Sequence, residues 1–126
     1  MIYKDHMGEL CSEKYYLQFR DEFIQKCQVI VDDYMKQHGW KNKLSVHSGR
    51  RYDKIVNTDV PDNLSDHIQR RVWAFVDKTN GDILKPESWK KPAKHARGNI
   101  YEDDCMQFIG PHGPAYMDTI KDYYGT

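Results

Sequence analysis

Between Ile83 and Gly98 five cations (Lys85, Lys90, Lys91, Lys94 and Arg97) stand against one acid, Glu87, for a local net charge of +4. Trp89 lies among them, and His95 follows Lys94. Lysine and arginine at this density neutralise phosphates and release counterions, which gives affinity without sequence preference. A tryptophan beside them offers a flat ring for base stacking. His95 is either a pH-tunable donor to phosphate or an ordinary loop residue. Arg50, Arg51, Arg70 and Arg71 lie on or beside the strands expected to neighbour this segment. If the face carrying Arg71, Trp73 and Phe75 is left uncovered, those aromatics beside cations make a stacking platform. The C-terminal segment folding over that face would instead bury Trp73 and Phe75 in a second small core. Both outcomes are open at this point. The candidate binding residues are Lys85, Trp89, Lys90, Lys91, Lys94, His95, Arg97, Arg71 and Trp73.

Other chemistries find less support. The six histidines (His6, His38, His47, His67, His95, His112) form no HxxxH or HxH pair, and no cysteine stands at ligand spacing. No metal site and no cofactor is therefore expected. Nothing matches GxSxG, and Gly98, Gly110 and Gly113 form neither GxxxxGK[ST] nor GxGxxG. A metal-dependent nuclease needs carboxylates that share an ion beside a lysine, a role open to Asp77, Asp82 and Lys85. Aspartates at a hairpin are also selected for side-chain to backbone hydrogen bonds, which is the simpler explanation. No catalytic residue is assigned.

These side chains need elements to position them. From Ser12, a suitable N-cap, to His38, the apolar residues Tyr16, Phe19, Phe23, Cys27, Ile30 and Tyr34, with Ile24 and Val31 alongside, recur at spacings of three and four. That pattern predicts a long amphipathic helix over about 12–38, ended by Gly39. Leu44–His47 and Arg51–Thr58 read as short strands, with Tyr52 and Val56 on one face and Ile55 on the other. Residues 59–66 read as a loop. In the next strand Ile68, Val72, Ala74 and Val76 share a face, and Gln69, Arg71, Trp73 and Phe75 share the opposite one. Asn80-Gly81 is expected to supply positive φ angles for a tight turn into Asp82–Lys85, which Pro86 ends. The meander spans about 44–85, the basic loop 86–99, and an irregular segment 100–126, with a short helix from Met117 to Tyr124. The expectation is a single α+β domain over 1–126: one long helix on a small antiparallel sheet of about four strands.

Charge is unevenly shared although the formal net is zero. Residues 1–40 carry a net of −2, residues 41–100 a net of +6 and residues 101–126 a net of −4. A basic middle between acidic ends suits an anionic partner, or simply solvates different faces. Three widely spaced cysteines (Cys11, Cys27, Cys105) suggest no disulfide framework, and Cys27 falls on the helical stripe as a small buried hydrophobe. The charged N-terminus lacks a signal-like apolar run, and no stretch nears the ~18 apolar residues of a membrane span. A cytoplasmic setting without membrane contact is expected.

RRYDKIV, then VWAFVDKTNGDILKPESWKKPAKHARGNIYEDD, then GPHGPAY resemble a family of small, uncharacterised phage and prophage proteins. The pattern of that family reads RKYxRIV, FVDxxTGD/N(I/V)xK, (A/P)xSWKxPAKxxRGNI and YGxxY. The likeness covers roughly residues 49–116, and His112 stands where the family carries an aromatic. It implies a viral gene acting in the cytoplasm of an infected bacterium, and no particular chemistry. The residues favour a non-enzymatic protein that binds DNA or RNA through the basic loop. The alternative is a factor that binds and modulates an acidic host protein, and a metal-dependent nuclease comes third.

Overall fold

A computed structural model describes residues 2–61 and 68–123. Helix α1 (Glu13–Lys36) begins where Ser12 accepts the Tyr15 N–H at 3.0 Å and ends where Gly39 takes φ +70° and the Trp40 N–H closes on the Met35 carbonyl. Ser12→Ala is expected to cost about 1 kcal/mol, read as a lower urea midpoint at unchanged slope. Tyr16, Phe23, Cys27, Val31 and Met35 are buried along one stripe, while Phe19, Ile24, Ile30 and Tyr34 are half-buried at its edges. Cys27 fills a core position as expected, and burial pushes its thiol well above the ordinary range.

Five strands form one antiparallel meander in the order β3 (Asn42–Ser48), β4 (Tyr52–Asp59), β5 (Arg70–Asp77), β6 (Asp82–Leu84) and β7 (Gly98–Asn99). Ahead of α1 stands the ribbon β1 (Tyr3–Lys4) and β2 (Leu10–Cys11). A second ribbon, β8 (Ile109–Gly110) and β9 (Gly113–Pro114), precedes α2 (Met117–Tyr123). The α+β architecture is as expected, with one strand more than the four anticipated. That strand, β7, lies inside the stretch read as loop. Two residues are too few to show alternation, and Asn99 secures them by donating to the Asn80 carbonyl and to Asp82. Most of the 59–66 loop lies outside the described residues, and Asp59 itself ends β4.

The sheet's inner face, toward α1, carries Leu44, Ile55, Ala74, Val76 and Ile83, which join the helix stripe in one core with Ile100, Tyr101, Cys105 and Ile109. The outer face carries Val56, Phe75 and Leu84. Trp73 is on neither side by simple alternation. Ile55 pairs with Ala74 but Val56 pairs with Val72, so Trp73 is an extra residue in β5, a β-bulge. The bulge turns Trp73 into the inner core, where its indole N–H donates to the Pro111 carbonyl at 3.2 Å. This corrects the expected face: Trp73 and Phe75 point to opposite sides, and Arg71, paired with Asn57, lies on the inner one.

The β5–β6 turn differs in detail as well. Only Gly81 takes a positive φ (+81°), and both the Asn80 and Gly81 N–H groups reach the Asp77 carbonyl. A four-residue connection replaces the two-residue turn. A side chain on Gly81 would strike the Tyr101 ring, so the position needs both the conformation and the space of glycine.

A knot of buried charge ties α1 to this end of the sheet. Asp53, fully buried on the inner face, accepts from the Tyr16 hydroxyl at 2.7 Å and from Arg20 at 3.1 Å. Lys78 stands 3.5 Å from the other carboxylate oxygen while donating to Ser48 and to the Gly49 carbonyl. Burial alone would raise the pKa of Asp53; the hydrogen bonds from Tyr16 and Arg20, with the charge of Arg20, outweigh it and hold the carboxyl below its ordinary value. Tyr16 is pushed upward by burial and by the adjacent carboxylate.

Candidate nucleic-acid interface

The chain leaves β6 at Leu84, makes the basic loop, and returns as β7. Proline supplies rigid extended corners at Pro86 and Pro92, which face each other as a bridge. The Glu87 and Ser88 N–H groups both donate to the Lys91 carbonyl, and the Ala93 N–H donates to that of Lys85. Arg97 fastens the far end. It is only 6% exposed, and its guanidinium donates to the carbonyls of Lys94 and His95 at 2.6 Å each and of Ala115 at 3.1 Å. Those bonds enclose His95, whose φ of +70° is uncommon outside glycine.

The nine predicted binding residues therefore separate into groups. Trp89, Lys90, Lys91, Lys94 and His95 are exposed together on the loop, with Lys91 3.5 Å from Glu87. Arg97 is turned inward, and burial lowers its pKa. Lys85 is half-buried, donates to the Pro114 carbonyl at 3.0 Å and lies 4.1 Å over the Tyr116 ring; burial, then the charge of Arg97, lowers its pKa. Both cations hold the loop to the C-terminal segment. Arg71 is exposed but inner-facing, paired with Asp59 at 2.9 Å. Trp73 and Phe75 are 3% and 2% exposed, so the uncovered stacking platform is not formed. The bulge and the core's demand for aromatic surface account for that.

On the outer sheet face the sequence reading names Arg70 but misses Lys43 and Lys54. Because Leu44, Val46 and Ile55 fall on the inner side, Lys43, His47 and Lys54 fall on the outer one, and Arg70 joins them opposite Thr58. Lys54 sits 4.6 Å from the centre of the Trp89 ring, which places the loop beside this face. The alternation of β3 and β4 was the available signal. Loop and sheet thus present Lys43, Lys54, Arg70, Lys90, Lys91 and Lys94 with one exposed indole, a set suited to polyanion contact.

A family model described as "Family of unknown function (DUF7717)" matches residues 4–110. The chain belongs to that family. All nine predicted binding residues lie within the DUF7717 match, as do α1 and the five-stranded sheet, whereas His112 and α2 lie beyond it. No curated protein and no solved structure matches the chain.

The carboxylates of the nuclease reading are engaged in the β5–β6 turn. Asp77 accepts from the Thr79 N–H and hydroxyl through one oxygen and from Arg51 through the other. Asp82 accepts from Asn99. Among the described residues no helix is long and apolar enough to cross a membrane.

Proposed function

We propose that this protein is a small phage-encoded, non-enzymatic nucleic-acid-binding protein of the host cytoplasm. One observation carries the reading: the exposed loop cations Lys90, Lys91 and Lys94 sit with exposed Trp89 beside a sheet face bearing Lys54. The loop is braced from within by Arg97, so its cations are displayed without a large ordering cost on binding. Phosphates would lie against Lys90, Lys91, Lys94 and His95, and a base would stack on Trp89. Nothing in this arrangement reads sequence, so the expected partner is single-stranded DNA or RNA bound through backbone and stacking.

Fluorescence anisotropy with short labelled strands tests this. Trp89→Ala is expected to weaken binding by about 1–3 kcal/mol while leaving the salt slope nearly unchanged, because stacking releases no counterions. Binding that is indifferent to Trp89 would remove the stacking half of the proposal.

A further inference from the structure

The basic loop leaves unexplained a cleft at the start of β5, on the inner side of the sheet. A cavity of about 380 Å³ opens there between the C-terminal end of α1, β5 and the β8–β9 ribbon. Its walls are a chain of flat rings. His38 lies 5.8 Å from Trp40 at an angle of 30°, Tyr34 lies 4.9 Å from His38, and Tyr34 meets His112 edge-on at 4.9 Å. Trp40 is 66% exposed, although buried positions lie close by. Trp73 lines the cleft with its indole N–H already satisfied by Pro111. Arg71 enters from β5, held through one nitrogen by Asp59, with its side chain 47% exposed.

The volume is that of a small-ligand site. Rings in series favour a planar heterocycle, and a guanidinium among them favours an attached anion. Aromatic boxes also hold quaternary ammonium groups, but Arg71 would repel that charge. We infer that this cleft between α1, β5 and the β8–β9 ribbon binds one nucleotide, its base among Trp40, His38 and Tyr34 and its phosphate on Arg71.

Such a nucleotide can be free or can be the end of a bound strand. Arg70 and Arg71 are consecutive on β5 and face opposite sides of the sheet, so a chain crossing the outer face reaches the cleft at this edge. The strand-end form rests on the function proposed above; the free-nucleotide form stands alone.

Titrating the full-length protein calorimetrically with each of the four ribonucleoside 5′-monophosphates decides the matter. At least one is expected to saturate below about 10 mM. Trp40→Ala and His112→Ala, both at exposed positions, are each expected to weaken it roughly five-fold or more, as loss of a stacking surface does. A 5′-phosphorylated oligonucleotide binding several-fold tighter than the same strand without its 5′-phosphate, an advantage lost in Trp40→Ala, assigns the strand end; equal affinity of the two strands assigns the free nucleotide. No saturation by any mononucleotide, or saturation indifferent to both Trp40 and His112, overturns the pocket. If oligonucleotides still bind in that case, the loop interface stands without it.

Discussion

Asp53→Ala is expected to destabilise the protein by about 3–5 kcal/mol, the usual cost of removing one partner from a buried ion pair. The substitution leaves Arg20, Lys78 and the Tyr16 hydroxyl facing a vacancy inside the fold. Because Lys78 also donates to Ser48 and the Gly49 carbonyl, the loss reaches the β3–β4 turn as well as α1. Stability should follow pH through the same group. The pKa of Asp53 is lower in the folded state than its ordinary 3.8, so the unfolded chain takes up its proton first as pH falls. The contribution is complete above that value and fades as pH drops below it toward the folded pKa. Urea midpoints at pH 7 and at successively lower pH check both statements. An Asp53→Ala protein with the wild-type midpoint at pH 7 would show that the knot is energetically idle. Asp53→Asn should flatten the acid limb of the curve, since it removes the titrating group.

The architecture was legible where a local signal marks it. Ser12, Gly39 and the three-and-four spacing between them define α1, and the β3–β4 alternation sets Ile55 against Tyr52 and Val56 as expected. Trp73 was not legible, because a bulge shifts one residue without leaving a mark in composition, and every face assignment N-terminal to it in β5 then inverts. The inward turn of Arg97 was not legible for another reason. Its acceptors are carbonyls, and any residue can supply a carbonyl, so nothing in Lys94-His95-Ala96 announces that the guanidinium is already occupied. The knot at Asp53 joins Tyr16, Arg20, Ser48 and Lys78 across most of the sheet. The one hint was an aspartate two residues before Ile55, on the side that alternation sends inward. In the loop, by contrast, charge density and punctuation by Pro86 and Pro92 sufficed to find the exposed cations, and a short polar excursion has few other places to put them.

Replacing Lys90, Lys91 and Lys94 together by Ala is expected to give the largest functional effect. All three are exposed, and among the described residues none donates to a backbone carbonyl in the way that Lys85 and Arg97 do. Fold stability should therefore change little, since surface substitutions of this kind stay within about 0.5 kcal/mol. If each touches phosphate, the slope of log K against log salt for single strands falls by about two units, at roughly 0.7 per contact. The same changes at Lys85 and Arg97 should act instead on stability, by freeing the carbonyls of Pro114, Ala115, Lys94 and His95. A triple-lysine variant that binds with the wild-type slope would move the interface away from the loop.

The proposed ligand of the exposed loop and outer sheet face is nucleic acid. Anisotropy titrations of labelled single-stranded DNA and RNA, from low salt upward, test it most directly. Saturable binding is expected at low salt, with affinity that falls linearly in log salt at a slope near −0.7 per phosphate contact. Absence of any binding at about 100 μM protein in low salt, near the weak end of non-specific affinities, would contradict it.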